Sequence, residues 1–303
     1  MINFRFHLVS LIAVFLALAL GVLMGATVID QAIVDGLRNR ISNVRDEANA
    51  QQAENSRLEE EVQRLQLFVG DEYGVTNDLA GVSVAVIAPR GVEGDQARSA
   101  VDLLQTAGAT APGVLWLEEK WQLEDEDARD ELADILGVSS DGVDVLRDAA
   151  WTALADPPDV IPALIPALID AGFVDFDAVG EQGDGFDPVG YPVAGARVLV
   201  IDQSDASAEA NELVESVLTE FVGLGLPLAV GEVYQEEEED GPARGARLAS
   251  VRADEQLAAV VSTVDNLELT EGKVAAVLAL ADLPGTVGHY GVGEDADAAL
   301  PPQ

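Results

Sequence analysis

The side chains able to bind a soft metal or attack a substrate are few. There is no cysteine, and the only histidines and methionines are His7, His289, Met1 and Met24. Copper(I) favours thiolate and thioether ligands and copper(II) favours imidazole, so His289 is the single donor of that kind beyond the N-terminal region. Missing thiolates also remove disulfides, a cysteine nucleophile and thiolate-built zinc sites. His289, in Gly288-His289-Tyr290-Gly291, has no Gly-x-Ser-x-Gly elbow to serve as a base. It reads as a satisfied structural residue in a glycine-rich loop, and Ser204, just after Asp202, reads as turn chemistry.

The first turn after an expected strand, Pro89-Arg90-Gly91-Val92-Glu93-Gly94, is not the glycine fingerprint of a dinucleotide site. No P-loop lysine pattern occurs, and Glu93 would repel a phosphate. With 55 acidic residues some carboxylate pairs are inevitable, and no spacing singles out an acid and a base. No EF-hand pattern is present, although carboxylates could hold hard cations weakly. The expectation is therefore no catalytic residue, no cofactor and no dedicated metal site.

Sixteen basic residues against 55 acidic ones give a net charge of −39, which repels nucleic-acid backbones. From Ala80 onward the chain carries 44 acidic and 10 basic residues, so this acidity belongs to the C-terminal portion.

Residues 8–29, without a charge, span ~33 Å as a helix against a hydrocarbon core of ~30 Å. A cleaved signal peptide is the alternative, but its apolar stretch is ~7–15 residues and ends in a small-x-small site. Here the stretch is longer and no clear site follows. Arg5 and the amino terminus place residues 1–7 in the cytoplasm and the bulk outside, with Arg38 and Arg40 weakening the asymmetry. The best later apolar run, Val274 to Ala281, is too short to cross a bilayer. A single-pass chain makes a pore only as an oligomer, and no outer-membrane barrel pattern is visible.

Between residues 30 and 69 apolar spacing alternates four and three. Ile41, Ala48, Asn55, Val62 and Val69 occupy position a, and Leu37, Val44, Gln51, Leu58 and Leu65 occupy position d. β-Branched a positions with leucine-rich d positions predict a parallel two-stranded coiled coil, with Asn55 fixing register. Ala48 and Gln51 are weak core residues, and Arg40 with Arg45 and Glu54 with Glu59 would repel across it. The alternative is an amphipathic helix packed on its own head. Tethering in one bilayer favours the homodimer by raising effective concentration. The stalk, ~54 Å if helical throughout from Val34 to Val69, would hold the rest off the membrane.

Gly70, Gly74, Asn77 and Gly81 mark a linker over 70–81. In the region 82–293, apolar runs at Val82 to Ala88, Gly113 to Leu117, Arg197 to Asp202, Leu226 to Val233 and Ala258 to Val264 read as strands. They alternate with helical spacing at Asp95 to Ala107, Glu124 to Leu136 and Ala208 to Val222. That alternation predicts an α/β domain, a mostly parallel sheet covered by helices, with a helical insertion over about 143–172. The run Glu236 to Asp240 reads as a solvated loop and the tail 294–303 as disordered.

The opening Met1-Ile2-Asn3-Phe4-Arg5-Phe6-His7, the single apolar span, the heptads, Val261-Ser262-Thr263-Val264-Asp265-Asn266 and Gly288-His289-Tyr290-Gly291 together resemble the actinobacterial copper transport protein B (MctB) family. The resemblance implies copper efflux or resistance across a mycobacterial-type envelope, in some members as an outer-membrane pore. Its SteB-like branch implies instead a cell-envelope role in cell separation, with a SteA-like membrane partner and activation of a coiled-coil-containing peptidoglycan hydrolase. The leading expectation is a membrane-anchored, extracytoplasmic dimeric scaffold without enzymatic activity, and the runner-up is copper export through an oligomer. A head with a degenerate nucleotide site is a third reading.

Overall fold

The computed structural model describes residues 5–25, 45, 75, 77–139, 142–155, 164–191, 193–235, 242–293 and 295–302. The chain divides into two units, Met1–Leu65 and Gln66–Gln303.

In the first unit, helix α1 (Arg5–Gly25) has 21 residues and a mean hydropathy of 2.7, enough to cross a bilayer. Phe6, Leu11, Phe15 and Leu18 each leave more than half their surface exposed. A helix apolar all round is stable only when buried in protein or lipid. Where residues 8–29 were expected to form the span, the helix begins three residues earlier; residues 26–29 and the heptads lie outside the described residues, Arg45 excepted.

The second unit is built on one sheet. Its strands are β1 (Val84–Pro89), β2 (Gly113–Leu117), β3 (Val174–Ala178), β4 (Arg197–Gln203), β5 (Leu228–Val233), β6 (Val261–Val264) and β7 (His289–Tyr290). They run in the order β3-β2-β1-β4-β5-β6-β7, with every neighbouring pair parallel except β2 and β3. β1, β2, β5 and β6 are buried along their whole length, as a parallel sheet with both faces covered requires.

One face is covered by α3 (Glu126–Leu136), α4 (Val143–Ala155), α5 (Leu164–Asp170) and α7 (Ala208–Gly223), packing Leu132, Trp151, Leu168 and Phe221 toward Ile87, Leu115 and Val200. The other is covered by α2 (Gly94–Thr106) and α10 (Thr270–Asp282), which bring Val101, Leu104 and Val277 to Val86, Val114 and Leu199. Short helices α6 (Gly180–Gly183), α8 (Ala249–Ala253) and α9 (Glu255–Ala258) fill connections.

Four features depart from the sequence reading. The edge strand β3 pairs antiparallel with β2, and its Asp175 and Asp177 conceal it because an edge strand tolerates charge. Helix α10 shows no stripe because nearly all its sides are buried, Lys273 included. The second half of the expected linker belongs to the head: Val75 and Leu79 are fully buried and Leu79 N donates to Ala107 O at 2.9 Å. Finally, residues 295–302 of the tail pack beside β7, with Asp297 N donating to His289 O at 2.7 Å and Gly291 N to Ala298 O at 2.9 Å.

Tyr191 ties this core together. Its buried hydroxyl accepts from Val86 N at 2.8 Å and donates to Val86 O at 2.6 Å, and burial raises its pKa. Tyr191→Phe would leave the Val86 N–H without that acceptor, so it is expected to destabilise the head by about 1–3 kcal/mol, measurable by denaturant titration of the full chain.

Candidate functional site

The parallel strands end on one edge of the sheet, and from β1 the chain turns one way to β2 while β4 lies on the other side. In open α/β sheets this reversal is where ligands bind. A crevice of about 230 Å³ opens there, lined among others by Pro89, Arg90, Glu118, Gln203, Asp205 and Ser207. Its walls are bonded to one another. Arg90 Nε donates to Glu118 at 2.6 Å, its other end pairs with Asp175, and its guanidinium lies 5.0 Å from the centre of the Trp116 ring. Gln203 accepts from Glu93 N at 2.7 Å and donates to Asp205 at 2.5 Å, while Ser207 caps α7 by accepting from Ala210 N. Carboxylates outnumber Arg90 along the crevice, so the local charge disfavours a phosphate.

Next to it, at the ends of β4, β5 and β6, lies a buried polar cluster. Glu232 is fully buried and accepts from Gly245 N at 2.9 Å and Arg247 N at 3.0 Å. Burial pushes its pKa up to about 7, against the opposing pull of those two amides. Burial likewise pushes Asp202 up to about 6. Asp265, with no exposed surface, pairs with Arg252 at 3.0 Å and also accepts from Val292 N at 2.8 Å and Gly293 N at 3.1 Å. Lys273 Nζ donates to Gln96 at 2.8 Å, and burial lowers its pKa.

His289 sits beside this cluster. Arg252 Nε donates to Thr263 Oγ1 at 2.9 Å, and Thr263 in turn contacts His289 Nδ1 at 3.1 Å. Burial leads the lowering of its pKa, which favours the neutral ring. Ser204 is occupied separately, its Oγ accepting from Gln235 N at 2.9 Å. Among the described residues there is no group of three or more His, Cys, Asp or Glu side chains arranged to hold a metal ion.

The expected dimer seam, Leu37 to Val69, and the acidic run Glu236 to Asp240 lie outside the described residues. Asp202, Glu232, Asp265 and Lys273 are the residues that sequence reasoning passed over. The available signal was a charge inside or just after an apolar strand, as in Leu228-Ala229-Val230-Gly231-Glu232-Val233. With 55 acidic residues that signal is easily lost.

A family model described as copper transport outer membrane protein, MctB, matches residues 1–301. A protein of Mycobacterium tuberculosis strain H37Rv named copper transporter MctB is 28% identical over 324 residues, covering 98% of each chain. The protein of that name from Mycobacterium leprae is 28% identical over 329 residues, covering 100% of each.

Proposed function

This chain belongs to the MctB family, and from that premise we infer that it is a membrane-anchored envelope protein supporting copper export. In this reading α1 stays uncleaved, the head is extracytoplasmic, and copper crosses through an assembly and not through a ligand set in one head. The observation that carries it is the match along the whole chain to relatives named copper transporters. The donor chemistry shapes it: the head's one imidazole is engaged with Thr263, and the described residues show no cluster of His, Cys, Asp or Glu side chains that would make a dedicated copper site.

A deletion strain should accumulate copper and recover when the full chain is restored. Purified full-length protein should bind copper(II) only weakly and without a fixed stoichiometry per protomer in equilibrium dialysis. A stoichiometric, copper-selective site in one protomer would overturn the assembly reading.

A second reading is favoured by the heptads Leu37 to Val69. Here a parallel homodimer acts as a non-enzymatic scaffold that recruits a SteA-like membrane partner and a peptidoglycan hydrolase through the exposed faces of its coil. Removing residues 34–69 should then abolish capture of envelope partners. Capture unchanged by that deletion would rule the scaffold out.

A further inference from the structure

We propose that His289 is a proton switch on the C-terminal edge of the head: a neutral ring keeps β7 and residues 295–302 docked beside β6, and a proton on Nδ1 releases them. Hydrogen bonding at Thr263 fixes the state of the docked ring. Thr263 is fully buried and its Oγ1 accepts from Arg252 Nε at 2.9 Å, so its own hydrogen needs an acceptor. Among the described residues the other partner of that hydroxyl is His289 Nδ1, at 3.1 Å. Nδ1 therefore accepts, and the neutral ring carries its hydrogen on Nε2. A proton on Nδ1 turns the acceptor into a donor. It leaves the buried Thr263 hydrogen unpaired and puts an imidazolium one hydroxyl away from the Arg252 guanidinium.

The backbone of the same histidine holds the edge. Asp297 N donates to His289 O at 2.7 Å, His289 N donates to Asp297 Oδ2 at 3.3 Å, and Gly291 N donates to Ala298 O at 2.9 Å. β7 itself has two residues, and Thr263 N to Gly288 O at 3.1 Å and Asp265 N to Tyr290 O at 3.2 Å join it to β6. An edge held by so few bonds opens locally, at far less cost than global unfolding.

The groups facing the ring set the direction. Burial lowers its pKa, and Arg252 on α8 adds to that; Asp297 in the tail and the Ala258 carbonyl at the end of α9 oppose it, and the net change is downward. Asp265, after β6, is committed to Arg252. Undocked and in water, the ring returns to its ordinary value near 6.5; docked, it titrates lower. The docked state binds the proton less tightly, so docking is strongest above about 6.5 and is lost as pH falls through the lower, docked value.

The full chain in detergent micelles, with ¹⁵N-labelled histidine and His7→Gln so that one ring reports, tests this by NMR. At about pH 7.5 Nδ1 should be unprotonated and Nε2 protonated, and the ring should titrate with a midpoint below 6.5. In hydrogen exchange corrected for intrinsic rates, protection of the Gly291 and Asp297 amides should fall ~3-fold or more between about pH 7.5 and about pH 5. His289→Gln should flatten that profile, which separates the switch from titration of Asp202 and Glu232. Thr263→Ser should keep the low midpoint, and Thr263→Val should raise it. A docked ring protonated on Nδ1 at about pH 7.5, or a midpoint at or above 6.5, overturns the switch, and these two readings decide it if His289→Gln does not fold. Protection that stays constant across this range removes the coupling to the tail. A fall that survives in folded His289→Gln removes His289 as its cause, and a midpoint unmoved in folded Thr263→Val removes Thr263 as the reason for it.

Discussion

Asp265→Ala is expected to lower the stability of the head by about 3–5 kcal/mol, the usual cost of breaking a buried ion pair from one side. Asp265 has no exposed surface and Arg252 keeps only 5% of its side chain exposed. Removing the carboxylate leaves a guanidinium in the interior whose other contacts, Thr263 Oγ1 and Tyr290 O, carry no negative charge. It also strips the acceptor from Val292 N and Gly293 N, releasing the segment after β7. For a unit of this size the loss corresponds to roughly 10 °C in melting temperature. Asp265→Asn, which keeps an acceptor but not the charge, should fall between wild type and Asp265→Ala. Thermal melts of the three full-length proteins check this, and equal melting temperatures would mean the pair contributes nothing.

Trp151→Ala is the second large loss expected, at about 3–5 kcal/mol for an aromatic truncated in a closed core. Trp151 is fully buried, stacks on Trp121 with centroids 4.4 Å apart and an interplanar angle of 20°, and meets Phe221 edge-on at 6.4 Å. Its Nε1 donates to Ser216 Oγ at 2.9 Å, joining α4 to α7. Truncation removes the stacking and that bond, and exposes Trp121 to a cavity. Trp151→Phe keeps most of the volume and should lose clearly less. Chemical denaturation reads the stability, and the exciton signal of the stacked indoles in circular dichroism should vanish in both variants. An alanine variant as stable as wild type would mean that α3, α4 and α5 collapse onto the gap.

The parallel strands were legible because burial on both faces leaves little but Val, Ile, Leu and Ala in them, and Gly113 to Leu117 matches to the residue. Helices α2, α3 and α7 were legible because one side of each remains in water. α10 escaped because it is buried nearly all round. β3 escaped because Asp175 and Asp177 on an edge are bonded by Arg90 and Arg98, partners brought in from β1's turn and α2.

The site follows the same division. That residues 89–94 lack the glycine fingerprint of a dinucleotide site and that no Gly-x-Ser-x-Gly elbow accompanies His289 could be read from spacing. Which of 55 carboxylates would be buried could not. Glu232 becomes special only because β5 lies between β4 and β6, with residues 242–248 folded back over its end.

By itself the sequence determined the apolar helix, the acidity of the head and the alternation of strands and helices, because each rests on local hydrophobicity or on charge summed along the chain. Only the tertiary structure decided the sheet order, the antiparallel edge, the crevice and the buried ion pair. Those depend on contacts between distant residues, such as Gln96 with Lys273 and Glu93 with Gln235, and on the desolvation such contacts impose.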